Sequence, residues 1–117
     1  MGRIEAILLA AGYSSRMGRL KSLLPIGGTT VIRRQAEVLD GLTDRTIVVT
    51  GYRGDEVEAH LSGSRVTTVR NQAFAEGMFT SVKAGILALD QEVSAFLILP
   101  VDYPLVTRSL IEEKSDR

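Results

Sequence analysis

Apolar residues in this chain fall in short, β-rich runs separated by stretches with helical spacing. The first run, 4–10, is continuous enough in isoleucine and leucine to predict a strand buried on both faces. Thr29 or Thr30 is placed to cap a helix reaching to about 42. Ile32, Ala36 and Leu39 then share one face at i, i+4 and i+7, with Gly41 near the end. A second strand is predicted over 46–50, centred on Ile47, Val48 and Val49. Asp55, Glu56 and Glu58 crowd the start of a short helix, where the helix dipole favours acids, and Val57 and Leu61 give it an apolar edge. A shorter strand, nearer a sheet edge, is predicted over 66–69. The next helix runs from 78 to about 89 with Phe79, Val82, Ile86 and Leu89 facing inward, and a fully apolar strand follows over 96–99. Leu110 and Ile111 open a last helical stretch that runs out in charge.

The order β-α-β-α-β-α-β-α implies a parallel sheet with helices on both faces and right-handed crossovers. In such sheets ligands bind beyond the carboxyl ends of the strands. Those ends read Ala10-Ala11-Gly12, then Thr50-Gly51, then Asn71, then Asp102, all small or polar groups that converge on one edge.

Bulk properties narrow the function. At 117 residues the chain is one domain over 1–117, and 44% apolar with 24% charged residues is the composition of a globular protein. Fourteen basic residues balance fourteen acidic ones, so the basic excess needed for sequence-independent nucleic-acid binding is absent. There is no cysteine, which excludes disulfides, thiolate metal sites and thiol nucleophiles; one histidine excludes a multi-histidine site. No apolar run can span a bilayer and no secretion signal opens the chain, so a cytoplasmic protein without a membrane partner is expected.

The segment from Leu9 through Ala10, Ala11, Gly12, Tyr13, Ser14, Ser15, Arg16, Met17 and Gly18, with Lys21 beyond it, carries the most chemistry. A buried strand empties into small residues, hydroxyls and two cations, a composition that suits backbone amides closing on a polyphosphate. It is neither a Walker A loop, since five residues separate Gly12 from Gly18, nor a G-x-G-x-x-G turn. Asp102 stands between Pro100 and Pro104, in backbone biased to extended conformations. Mg²⁺ takes only one or two protein carboxylates beside substrate phosphates, so this acid is a candidate metal ligand. Asn71, the Gly77 backbone and Ser81 have two readings: a helix start capped by its own hydroxyls, or contacts to a base or ribose. His60 and the pair Arg33-Arg34 read as solvated flanks of their helices.

Read from Leu9 to Lys21, the string Leu-Ala-Ala-Gly-x-Ser-x-Arg-Met-Gly-x-x-Lys resembles the signature loop of the MobA-like nucleotidyltransferases, which include the guanylyl- and cytidylyltransferases of molybdenum-cofactor maturation. Residues 23–28, 71–85 and 99–106 resemble the family's next turn, its Asn/Gly/Ser-Val segment and its metal-aspartate segment. The resemblance implies a three-layer, Rossmann-like nucleotide-diphospho-sugar transferase fold with a mostly parallel sheet. It also implies transfer of a nucleotide from an NTP to a phosphorylated acceptor, with release of pyrophosphate. By that resemblance Leu9, Ala10, Ala11, Gly12, Ser14 and Ser15 line the nucleotide through the loop, Arg16 holds the β- and γ-phosphates, Lys21 neutralises the α-phosphate, and Asp102 binds Mg²⁺. The Ala-Ala-Gly form leans towards CTP over GTP. Members continue past the metal aspartate with strands that complete the sheet and build the acceptor pocket. The chain is therefore expected to be the N-terminal portion of such an enzyme, with the edge of its fourth strand open to self-association. A module that binds nucleotide without turnover is the alternative reading, and a scaffold without ligand a third.

Overall fold

The computed structural model describes residues 3–11, 23 and 25–101. Strand β1 (Arg3–Ala10) leads to a short hairpin of β2 (Pro25–Ile26) and β3 (Thr29–Thr30). Its turn is Gly27-Gly28, both at positive φ (52° and 84°), which favours glycine over any residue with a Cβ. Then follow α1 (Val31–Asp40), β4 (Arg45–Thr50), α2 (Gly54–Ala59), β5 (Val66–Arg70), a 3-10 turn (Phe74–Glu76), α3 (Met78–Leu87) and β6 (Val93–Pro100). Thr30 caps α1, its hydroxyl accepting from the Arg33 amide at 3.4 Å, and Gly41 follows the last turn.

Four strands make one parallel sheet in the order β5-β4-β1-β6. The chain thus winds outward from β1 through β4 to β5, then returns to the far side of β1 as β6. Sheets of this kind receive ligands at such a reversal, here beyond the carboxyl ends of β1 and β6. The register keeps those ends level: Ala10 pairs with Thr50, Thr50 with Arg70, and Leu9 with Pro100.

Both faces of β1 and β4 are covered, which is why neither strand alternates polar with apolar. Ala6, Leu8, Ala10 and Val48 face α1 and α2, packing with Ile32, Ala36, Leu39, Val57 and Leu61. Ile7, Leu9, Ile47 and Val49 face α3, packing with Val82, Ala84, Ala88 and Leu89.

Two predicted helix features change. Phe79 and Ile86, expected to face inward on α3, are 78% and 43% exposed, whereas Ser81 and Gly85 are buried. The cause is close approach. A Cβ on Gly85 would sit 2.5 Å from Ile7 Cγ2, so the helix lies nearer the sheet than a face of large side chains allows. Val82 and Leu89 do pack inward, as predicted. Arg33 is not a solvated flank: its guanidinium donates to the carbonyls of His60 (3.1 Å) and Ser62 (2.7 Å), satisfying acceptors at the end of α2. His60 itself is exposed.

Strand β6 is longer than predicted, and Phe96 and Leu97 are about half exposed (42% and 47%) because, among the described residues, it pairs only with β1. No helix among the described residues is long and apolar enough to cross a membrane. The helical stretch expected at Leu110 and Ile111 lies outside the described residues.

Candidate functional site

The level carboxyl ends of β1, β4, β5 and β6 form the floor of the site. Leu9, Ala10 and Ala11 turn their side chains into the core, at 7%, 2% and 1% exposure, so their contribution to a ligand is confined to main chain. Two of their carbonyls already bind the neighbouring crossings: Leu9 O accepts from the Val101 amide at 2.9 Å and Ala11 O from the Tyr52 amide at 3.0 Å. These bonds draw the chain after β6 and the loop after β4 against the end of β1, from which the glycine-rich loop departs.

Gly51 lets a third segment close in. A Cβ there would meet Phe74 Cβ at 2.7 Å and Ala11 Cβ at 3.0 Å, so Phe74 lies directly over the Gly51–Ala11 junction. Tyr52 flanks it, with ring centroids 6.0 Å apart and planes tilted by 59°. An aromatic wall thus stands beside the end of β1.

Asn71 resolves much of the question left by its spacing. Its amide binds Thr50 O at 2.7 Å, continuing the β4–β5 ladder by one residue. The side-chain Nδ2 donates to Thr80 Oγ1 (2.9 Å) and Ser81 Oγ (2.8 Å), and Oδ1 accepts from the Ala73 amide (3.0 Å). Both amide hydrogens are therefore engaged within the protein, and Asn71 and Ser81 are only 6% and 4% exposed. Thr80 Oγ1 also donates toward Gly77 O at 2.7 Å and Ala73 O at 3.0 Å. The hydroxyls of Thr80 and Ser81 are thus tied to Asn71 and to nearby carbonyls, but no side chain caps an amide at the start of α3. Gly77, by contrast, is exposed, with φ 120° and open space where a Cβ would project, so its main chain is presented at the rim.

On the opposite face, Arg70 ties β5 to α2. Its Nε donates to Glu58 Oε2 at 3.0 Å and its Nη2 to Asp55 Oδ1 at 2.7 Å, while the same Glu58 oxygen accepts from the buried Thr50 hydroxyl at 2.7 Å. The hydrogen bond from Arg70, helped by that of Thr50, holds the Glu58 carboxyl below the usual carboxylate range, and the two carboxylates raise the Arg70 pKa. Arg53 adopts a left-handed backbone (φ 52°) at the start of α2 and pairs with Glu56, whose carboxyl that hydrogen bond lowers. No spacing in the sequence connects Thr50, Glu58 and Arg70 as a group. The available signal was an arginine ending a strand immediately before a candidate site residue, opposite a helix with three acids.

Gly12, Ser14, Ser15, Arg16, Lys21 and Asp102 lie outside the described residues. No cluster of three or more His, Asp or Glu able to hold a metal ion occurs among the described residues. Val101, whose amide is fixed to the end of β1, is the last described residue before Asp102 in the sequence.

A four-stranded parallel sheet covered by helices on both faces defines a three-layer, Rossmann-like α/β fold. The chain belongs to the MobA-like NTP transferase domain family, whose model matches residues 6–116. It is 40% identical over 93 residues to a molybdenum cofactor cytidylyltransferase of Escherichia coli (strain K12), covering 79% of this chain and 48% of that protein. It is 32% identical over 120 residues to a bifunctional IPC transferase and DIPP synthase of Rubrobacter xylanophilus, covering 97% of this chain and 28% of that one. Among solved structures, a nucleotidyl transferase from Methanothermobacter thermautotroptrophicus superimposes with a TM-score of 0.81 at 33% identity, over 98% of this chain and 57% of its own. The chain thus spans about half the length of the cytidylyltransferase and of the solved transferase.

Proposed function

We propose that the chain is the nucleotide-binding portion of a Mg²⁺-dependent nucleotidyltransferase that moves a nucleotide, CMP in preference to GMP, from an NTP to a phosphorylated small molecule such as molybdopterin. The observation that carries this reading is the gathering of Ala11, Gly51, Asn71 and Val101 at one sheet edge, beside the point where the signature loop leaves β1. The Ala-Ala-Gly form of the loop and the likeness to a cytidylyltransferase support CTP as donor.

An acceptor phosphate oxygen forms a bond to the α-phosphorus as the bond to the leaving pyrophosphate breaks. No protein nucleophile is required. The chain's contribution is position and charge. The small residues Ala10, Ala11 and Gly12 that follow Leu9, with Ser14 and Ser15, let backbone amides approach the triphosphate. Arg16 binds the β- and γ-phosphates, Lys21 faces the α-phosphate, and the Gly77 main chain is available to the base or ribose. Asp102 is the residue suited to hold Mg²⁺, which supplies further positive charge to the phosphates when bound. A cytoplasmic setting, where NTPs are abundant, accords with this role.

Calorimetric titration with Mg-CTP and Mg-GTP tests the reading, with pyrophosphate release followed in the same samples. Heat with CTP exceeding that with GTP, together with release on adding acceptor, is the expected result. No heat with either nucleotide overturns it. Binding without release favours a non-catalytic nucleotide module.

A further inference from the structure

Consecutive residues on a strand point to opposite faces of the sheet, and at the end of β5 both neighbours are used. Arg70 reaches the α2 face, where it binds Glu58 and Asp55 and lies across Gly54; a Cβ there would meet its Nε at 2.7 Å. Asn71 reaches the α3 face, where it binds Thr80, Ser81 and the Ala73 amide. Each brace also returns to β4, through the Thr50 hydroxyl on Glu58 and through the Thr50 carbonyl on the Asn71 amide. Between the two braces stand Gly51, Tyr52 and Phe74, beside the end of β1, and Gly77 at the rim.

We infer that Arg70 and Asn71 form a two-sided clasp that positions the base-facing rim of the site without either side chain touching the nucleotide. Asp55 is almost fully exposed, so its ion pair contributes little, and the Arg70–Glu58–Thr50 chain is the effective half on the α2 side. On the α3 side the effective half is the buried Asn71 amide. This rests on the nucleotide-binding reading above and assigns two positioning residues to it. The phosphate end of the ligand is assigned to Arg16 and Lys21, so the clasp acts on base and ribose contacts rather than on the triphosphate.

Arg70→Met and Asn71→Ala are compared with the parent chain by titration with Mg-CTP and, separately, with Mg-tripolyphosphate, which has no base. Each substitution is expected to weaken Mg-CTP about tenfold, as loss of support behind a binding surface does, while tripolyphosphate affinity stays within about twofold. In amide NMR spectra Arg70→Met shifts Gly51 and Gly54, and Asn71→Ala shifts Gly77 and Thr80. Should Arg70→Met fail to fold, Glu58→Gln removes the same brace from its other end. Unchanged Mg-CTP affinity in folded variants overturns the clasp and leaves nucleotide binding standing. Equal weakening of both ligands marks general loosening and also overturns it. A parent chain that binds neither ligand removes the nucleotide reading and the clasp together.

Discussion

Replacing Lys21 with alanine is expected to lower the rate of nucleotidyl transfer by about 10²–10³-fold while leaving the affinity for Mg-NTP within a few-fold. On the proposed assignment the ground-state triphosphate already meets loop amides and Arg16, and one lysine adds modestly to a charge-rich set of contacts. Charge on the α-phosphoryl group and on the departing pyrophosphate is redistributed as the bond breaks. A cation assigned to the α-phosphate therefore does more in the transition state than before it. Loss of such an electrostatic partner typically costs about 2.7–4 kcal/mol of activation free energy. Arg16→Ala is the contrasting variant, because its assigned partners are the β- and γ-phosphates and binding is what it supports. Single-turnover release of pyrophosphate, set beside a calorimetric Kd, separates the two. A Lys21→Ala protein that loses affinity and rate by the same factor has lost a binding residue only, and the assigned role falls.

The elements legible in advance share a property: each is signalled by residues that work locally. Thr30 caps α1 by its own hydroxyl, Gly41 follows its last turn, and Ile47-Val48-Val49 is apolar enough to be buried between two helical layers wherever it lies in the sheet. Even the edge position of β5 is readable, from its shortness. What was not legible depends on distance. The face of α3 was assigned from its large apolar residues, yet the helix meets the sheet through Ser81 and Gly85, and only the nearness of Ile7 explains why small residues win that position. A hydrophobic pattern registers content, not clearance.

Likewise Asn71 was identifiable as a strand-end amide, but its engagement with Thr80, Ser81 and Ala73 joins residues whose spacing fits capping and ligand contact equally well. Arg70 and Glu58 meet because β5 is level with β4 and α2 lies over it. Twelve positions separate them in the chain, with no periodic signal connecting them.

Glu5 shows the same limit most sharply and gives the largest stability effect. It sits near the start of a strand otherwise read as apolar, and its side chain is fully buried. Arg3 Nε lies 2.6 Å from Oε2, Arg45 Nη1 3.5 Å from Oε1, and the Asp90 amide donates to Oε1 at 3.0 Å. Arg45 goes on to Ala88 O at 3.1 Å and Thr67 Oγ1 at 3.3 Å. One carboxylate thus gathers the amino ends of β1 and β4 and the turn after α3, and the arginine extends the network to β5, at the end of the sheet opposite the candidate site. Burial opposes its ionisation. The hydrogen bonds from Arg3 and Asp90 and the charge of Arg45 outweigh that, so its carboxyl titrates below its ordinary value of 4.5.

A carboxyl lowered by folding binds protons more readily when unfolded. Its contribution is therefore complete above pH 4.5 and disappears as pH falls through the folded value. Glu5→Gln keeps the shape and removes the charge. At neutral pH it should destabilise the fold by about 3 kcal/mol, the lower end for breaking a buried pair, since Arg3 and Arg45 keep access to water. Below pH 4.5 the difference between parent and variant should narrow, because the parent loses what the variant never had. Glu56 and Glu58 are also lowered and remain in both proteins, so each retains an acid limb and the narrowing isolates Glu5. Urea unfolding of both proteins at neutral pH and in the acid range measures it. A gap that stays constant as pH falls would show that the carboxylate acts through shape alone, and nucleotide affinity of the folded variant should be unchanged, since the network lies at the far end of the strands.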